Sequence, residues 1–252
     1  MWINILIILA SVTAAGLALW VVGRVSASTR RRESNDFTGP VVAVVGTTYA
    51  VILAFLLSGL WNHYQDAKSD VQLEAAVVVN IFRVARQFPE PQRQNIQDLA
   101  HRYAETVINV EWPQMVAGQV PHGGGPIINQ LWAVSGETKT EGGQSLAMAE
   151  LMSSLSSLTQ YRALRIMQSA DALPGMLWAV LIGGGIATIF AACFFGVQDF
   201  RFHLLQIVVL SFLISLVLVA IAAVDRPYQG SVRVSPDGFH YALETIDQEM
   251  NR

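Results

Sequence analysis

The chain has 252 residues, of which 52% are apolar and only 14% are charged. Soluble domains carry about 25% charged residues, so this sequence has too few charges to cover a surface that faces water. The net charge of −3 offers no basic surface for a phosphate backbone, which excludes nucleic acid as an expected partner, and the single cysteine, Cys193, excludes an intramolecular disulfide.

Four apolar segments are long enough to cross a bilayer, which takes about 20 residues. They are Trp2–Gly23, Val41–Trp61, Gly175–Val197 and Leu204–Val224. None contains Lys, Arg, Asp or Glu. The free energy of inserting Lys, Arg or Asp at mid-membrane is unfavourable by about 2.5–3.5 kcal/mol. The sequence therefore predicts an all-α integral membrane protein with four transmembrane helices. We expect it in the lipid bilayer of the cell membrane, which in a bacterium is the inner membrane.

Arginines beside the first two spans predict an orientation. Arg24, Arg30, Arg31 and Arg32 all lie in the loop between spans one and two. Basic residues in short loops favour the cytoplasmic side of the membrane. By this rule the loop is cytoplasmic, and the long segment after span two lies on the other side.

Residues 62–173 have the pattern of a helical extramembrane domain inserted between spans two and three. Its first apolar stripe follows span two without a Gly or Pro, so span two is predicted to continue as one long helix. The stripe consists of Val71, Ala75, Val78, Phe82 and Ala85. The chain thus divides into residues 1–61 with spans one and two, the domain 62–173, residues 174–224 with spans three and four, and a C-terminal tail, 225–252.

A second helix of the domain is predicted to begin near Pro91 and to end at Glu111-Trp112-Pro113. Its apolar face carries Ile96, Leu99, Tyr103, Val107 and Val110. The following segment, 118–143, is rich in turn formers and is predicted as a loop-rich bridge with at most one short helix near Ile127–Val134. Its triple glycine, Gly123–Gly125, is interpreted as a flexible turn.

Two arginines continue the apolar stripe of a third predicted helix, about Ser145–Ala172. The stripe ends in Arg162 and Arg165. These arginines either extend towards a membrane interface or form a buried ion pair, for which Glu74 is the expected acid. Asp225, at the end of span four, either pairs with Arg226 or another arginine or simply marks the membrane interface.

No pattern in the chain indicates catalysis or metal binding. No two of the five histidines are three or four residues apart, and neither glycine run belongs to a phosphate-binding loop. We therefore expect no metal, no cofactor and no enzyme activity. The histidines are His63, His101, His122, His203 and His240.

One face of span two has the pattern of a pore lining. It has polar residues at its ends and an apolar centre, a narrow part that could close by dewetting. Four charge-free spans give no hydrophilic path within one subunit, so such a pore would lie on the symmetry axis of a homo-oligomer and pass small ions. The alternative is that Ile52 and Phe55 face lipid or another span. The face consists of Thr48, Ile52, Phe55, Gly59, Asn62 and Asp66.

Several short motifs resemble the bestrophin-like domain family of bacterial and plant membrane proteins. Bestrophins are pentameric anion channels in which the second span lines the pore and continues into a helical domain. The resemblance therefore implies an anion channel and a cytoplasmic domain, the opposite of the arginine rule. The motifs are Gly46-Thr47-Thr48-Tyr49-Ala50, Glu74-Ala75, Glu111-Trp112-Pro113, Arg162 with Arg165, Leu173-Pro174 and Asp225-Arg226-Pro227-Tyr228.

Two functions remain open from the sequence. The first is an oligomeric bestrophin-like ion channel with its pore on the symmetry axis. The second is a nonconducting membrane module whose helical domain binds a partner or senses the state of the envelope. The two hypotheses differ in whether the purified protein passes ions.

Overall fold

The computed structural model describes residues 2–25, 35–137 and 144–251, and within these ranges it contains helices and turns without strands. The predicted all-α class is confirmed. Arg30, Arg31 and Arg32, on which the predicted orientation depends, lie outside the described residues. In chain order the helices are α1 (Trp2–Val25), α2 (Asn35–Val84), α3 (Gln92–Thr106), α4 (Trp112–Val116), α5 (Gly124–Glu137), α6 (Ser145–Ala170), α7 (Gly175–Cys193), α8 (Phe200–Val224) and α9 (Asp237–Met250).

Four of these helices, α1, α2, α7 and α8, are long and apolar enough to cross a membrane. Each contains one predicted span, although α7 ends at Cys193 rather than Val197. The helix ends before Val197 because the backbone of the following turn hydrogen-bonds to a side chain of α2 instead of continuing the helix. Gly196 donates its N–H to the Asn35 side chain at 2.8 Å and accepts from it at 2.8 Å.

The continuation of span two as one long helix is confirmed, since α2 runs for 50 residues. A 3₁₀ turn, Ala85–Gln87, follows it. The whole predicted stripe is buried, with four members in α2 and Ala85 in the 3₁₀ turn, which shows that its period of alternating three and four residues marks the packed face. The stripe residues are Val71, Ala75, Val78, Phe82 and Ala85.

The chain folds as two compact units, of which the first comprises residues 1–61 and 172–225. Within it, α2 packs through Tyr49, whose hydroxyl donates to the Leu181 carbonyl of α7 at 2.7 Å. Tyr49 lies so close to Gly184 and Gly185 that a Cβ added at Gly184 would come within 2.6 Å of the Tyr49 ring, and one added at Gly185 within 3.0 Å of its hydroxyl oxygen. Glycine at these positions lets the two helices approach closely.

The second unit comprises residues 62–171 and 226–252. It has one large apolar core, to which α9 contributes Phe239, Ala242 and Ile246. Residues 225–252 were predicted only as a tail, so α9 is a helix that the prediction lacked. The three buried residues recur at steps of three and four, which is the spacing of a helix face.

Two predictions about this second unit were wrong. The second predicted helix does not end at Glu111-Trp112-Pro113, because a π-helical turn, Val107–Glu111, connects α3 to α4. Proline is tolerated there, since it lies in the first turn of α4. The short helix predicted near Ile127–Val134 lies within a longer helix of 14 residues, α5, and Gly124 is the first residue of that helix rather than part of a flexible turn.

Candidate functional site

The predicted lining face of α2 is exposed along its whole length. Phe55 is 76% exposed and Ile52 is 36% exposed. On the opposite side of the same helix, Tyr49 and Leu53 are buried against α7 and α8. The face therefore lies on the outside of the subunit. Its other members, Thr48, Gly59, Asn62 and Asp66, are exposed as well.

A buried charge network occupies the core of the second unit. Arg165, which is fully buried, donates from Nε to Glu74 Oε2 at 2.7 Å and from Nη2 to Glu74 Oε1 at 3.0 Å. Such a bidentate pair is the strongest geometry between an arginine and a carboxylate. Arg165 on α6 therefore forms a buried ion pair with Glu74 and does not extend towards a membrane interface.

The second acid of the network is Glu111, which the sequence analysis had placed only at a helix end. Its Oε2 accepts from Arg165 Nη2 at 2.7 Å, and its Oε1 accepts from Arg162 Nη2 at 2.7 Å. The backbone N–H of Gly124, at the start of α5, also donates to Glu111 Oε1 at 2.7 Å. Arg162 therefore pairs with Glu111 rather than with Glu74.

The geometry of Gly124 explains why glycine stands at this position. A Cβ here would lie 2.8 Å from the Tyr103 ring, 3.1 Å from Arg162 Nε and 3.2 Å from Glu111 Oε1. Without a side chain, the positive end of the α5 helix dipole can approach the carboxylate directly. Gly124 is thus part of the ion network.

The charges of the network balance, with two carboxylates and two guanidinium groups. Burial opposes the ionisation of Glu111, but Arg165, Arg162 and the Gly124 N–H outweigh it, so the pKa of Glu111 is lowered. Burial, reinforced by the charge of Glu74, raises the pKa of Tyr103. Tyr103 consequently stays a neutral donor, and its hydroxyl donates to Glu74 Oε1.

Aromatic side chains surround this network. The Arg165 guanidinium lies 6.0 Å from the centre of the Phe239 ring, and Phe239 packs edge-on against Trp112. Tyr228 also packs edge-on against Trp112, with 5.7 Å between the ring centres. The network is therefore enclosed by residues from α4, α9 and the segment that precedes α9. Because its charged groups are paired and three of the four, Glu74, Glu111 and Arg165, are removed from water, its chemistry is that of a fixed structural link.

The predicted Asp225–Arg226 pair is not formed. Asp225 Oδ1 accepts from the backbone N–H of Leu173 at 2.7 Å, while Arg226 Nη1 donates to Gln229 Oε1 at 3.1 Å. Within the described ranges, no cationic side chain lies within 4.0 Å of the Asp225 carboxylate. The backbone N–H of Leu173, just before α7, is thus the hydrogen-bond donor to the Asp225 carboxylate.

Comparison with known proteins adds the family. The model of the Bestrophin-like domain matches residues 9–239. The chain belongs to the Bestrophin-like domain family. This confirms the resemblance found in the sequence motifs and makes the chain a bestrophin-like membrane protein with apolar helices. No curated protein matches it.

Solved structures share the fold of this bestrophin-like chain. A bacterial bestrophin homologue from Klebsiella pneumoniae is 12% identical, with a TM-score of 0.68 over 98% of this chain and 96% of that one. A point variant of that homologue is also 12% identical and gives a TM-score of 0.70 over 96% and 97%. A structure described as a membrane protein is 12% identical with a TM-score of 0.67 over 99% and 98%.

Proposed function

We propose that this bestrophin-like protein is an ion channel, assembled as a ring of identical subunits around the lining face of α2. In this proposal the first unit crosses the membrane four times, and the second unit lies outside the bilayer. The observation that carries the proposal is the exposure of that face on a single subunit, where Phe55 is 76% exposed. The family membership agrees with it.

The chemistry of the face suits a gated path for small ions. Thr48 at one end and Asn62 and Asp66 at the other supply polar groups, and Ile52 with Phe55 supplies an apolar constriction. A narrow apolar ring blocks ions because it removes water and with it the hydration of the ion. Replacing Phe55 by alanine should widen and wet this ring and so raise conductance.

The test is an ion flux assay on purified protein in liposomes, with native mass spectrometry to measure the size of the oligomer. Wild type should pass ions, and Phe55→Ala should pass them faster. The matched control is Phe212→Ala, at the middle of α8, where the ring is 45% exposed. That change should leave the flux at the wild-type level, because the proposal places Phe212 against lipid.

Well-folded rings that stay silent under salt gradients of either sign would overturn the channel. The resemblance to bestrophins implies that the permeant ion is an anion. The gradients should therefore include a chloride salt with a large cation and a sodium salt with a large anion, because a flux with only one of them identifies the permeant ion. A silent protein would leave the nonconducting module, whose second unit binds a partner or senses the envelope.

A further inference from the structure

A groove in the first unit lies between α1 and α8. It has a volume of about 500 Å³, and every side chain that lines it is apolar. Leu9, Val209 and Phe212 in its walls are exposed, so the groove opens to the outside of the subunit. With the first unit in a bilayer, this groove meets hydrocarbon rather than water. Its walls include Ile5, Leu9 and Val12 from α1 and Val208, Val209 and Phe212 from α8.

The two helices that form the groove run antiparallel. Ser215 donates its hydroxyl to the hydroxyl oxygen of Ser11 at 2.8 Å, whereas a Cβ added at Gly16 would lie 3.6 Å from Leu204 Cδ1. Later residues of α1 thus meet earlier residues of α8. The last turn of α1, which carries Arg24, and the first turn of α8 therefore lie at the same end of the unit.

Both walls of the groove lead to a cation at that end. On α8, Arg201 stands 11 residues before Phe212, which is close to three full turns, so the two residues share one face. On α1, Trp20 stands 11 residues after Leu9 and shares its face for the same reason. The Arg24 guanidinium lies 4.4 Å from the centre of the Trp20 ring.

The spacing along the helices matches one leaflet of a membrane. Eleven residues of helix rise about 16 Å, and half of the hydrocarbon core of a bilayer is about 15 Å thick. With the groove near the middle of the bilayer, Arg24 and Arg201 are therefore at the level of the lipid headgroups. Tryptophan is enriched at that level, which suits Trp20.

The charges at this end of the unit leave both guanidinium groups available to an anion. Arg24 and Arg201 are exposed, and among the described residues neither has a carboxylate within 4.0 Å. The described acids at this end, Asp36 and Asp199, stand at the starts of α2 and α8, where the positive end of a helix dipole stabilises them. Asp199 also accepts from the backbone N–H of Arg201 at 2.9 Å.

We propose that this groove binds an acyl chain of an anionic phospholipid whose headgroup meets Arg24 and Arg201. The apolar walls hold the chain, and the two arginines select the charge of the headgroup. Each basic residue at the membrane surface strengthens the binding of anionic lipid about fivefold. The inference rests on the proposed placement of the first unit in the bilayer, and it does not depend on conduction.

The test is native mass spectrometry of the full-length protein released from nanodiscs. The nanodiscs contain equal amounts of phosphatidylglycerol, which is anionic, and phosphatidylcholine, which has no net charge, with the same acyl chains. Wild type should retain phosphatidylglycerol in preference. Arg24→Gln and Arg201→Gln should each lower the ratio of the two retained lipids about fivefold. The matched control, Arg102→Gln, changes an exposed arginine of the second unit and should keep the wild-type ratio.

A second variant tests the groove itself. Val209→Trp fills the groove with a large apolar side chain, which is compatible with a bilayer, so insertion and folding should be retained. The retained phosphatidylglycerol should be lost. The matched control is Val180→Trp on α7, a valine of similar exposure that does not line the groove, and it should retain the lipid as wild type does.

Several results would overturn this site. Equal retention of both lipids by wild type, or an unchanged ratio in both arginine variants, removes the selection of charge. Lipid retained by Val209→Trp at the wild-type level removes the groove, and an oligomer that becomes smaller in this variant at an unchanged lipid count shows a contact between copies instead. Inorganic phosphate retained without any phospholipid also contradicts the proposal.

The outcomes separate this site from the channel. A silent protein that retains phosphatidylglycerol in preference overturns the channel and supports the lipid site. A conducting protein that retains both lipids equally overturns the lipid site and leaves the channel.

Discussion

Removing the charge of Glu74 tests the buried network most sharply. Glu74→Gln keeps the shape of the side chain but leaves one carboxylate for two guanidinium groups, those of the fully buried Arg165 and of Arg162, which is 15% exposed. It also replaces one of the two carboxylate oxygens that accept from Arg165 by an amide NH₂ group, which cannot accept. Glu74 and Arg165 are both 0% exposed, so water cannot screen the excess charge.

Breaking a buried ion pair on one side costs about 3–5 kcal/mol. Whole domains are stable by about 5–15 kcal/mol, so this loss is a large share of the total. For a chain of this size, 1 kcal/mol shifts the melting temperature by about 2–4 °C, so the expected shift is about 6–20 °C. The assay is thermal unfolding followed by tryptophan fluorescence, to which Trp112 beside the network contributes together with the other five tryptophans.

The matched control is Glu150→Gln, an exposed acid that accepts from Asn80 Nδ2 at 3.0 Å. Its effect should stay within about 0.5 kcal/mol. Adding Arg165→Met to Glu74→Gln should cost less than the sum of the two single changes, because it removes the unpaired charge. A Glu74→Gln protein as stable as the control, or strictly additive losses, would refute the energetic role of the pair.

Three further predictions follow from the same structure. Because the folded state lowers the pKa of Glu111 below its ordinary value of 4.5, its stabilisation is present above that pH and is lost as pH falls through the lowered pKa. Acid unfolding followed by circular dichroism should therefore be less steep in Glu111→Gln; equal slopes would contradict this. Gly124→Ala should destabilise by about 1–3 kcal/mol through overpacking, as measured by thermal unfolding. Gly136→Ala, with no atom within 4 Å of the added Cβ, should cost nothing. Cysteines at Arg201 and Ala149 should be labelled from opposite sides of the membrane, and the side of Ala149 decides between the arginine rule and the bestrophin orientation. Labelling from one side would refute four spans.

The helices with strong periodicity were predictable from the sequence because the pattern and the packing agree. Every member of the predicted stripe in α2 and the 3₁₀ turn after it is buried, and on α6 the apolar stripe leads directly to Arg165. The expectation that a buried arginine needs a carboxylate, applied to Glu74, matches the contact at 2.7 Å. These predictions depend only on the helical repeat of 3.6 residues and on the rule that a buried charge needs a partner of opposite charge.

The rest of the network was hidden by geometry that a period cannot show. Val110 and Glu111 lie three and four residues after Val107, and either spacing would place the residue on the buried face of a helix. The π-helical turn buries Glu111 and leaves Val110 43% exposed. Gly124 was predicted to lie in a flexible turn because runs of glycine are typical of loops. Only its contacts show that the missing Cβ makes room for a ring and a carboxylate.

The central claim is that the exposed face of α2 lines a conducting path. Cysteine at Gly59 tests it most directly, because no atom lies within 4 Å of the position of an added Cβ, and the native Cys193 is fully buried. In planar-bilayer recordings, a charged, water-soluble thiol reagent should change the current through Gly59→Cys and leave wild type and Phe212→Cys unchanged. A Gly59→Cys channel that is fully modified by mass yet keeps its current would contradict the claim.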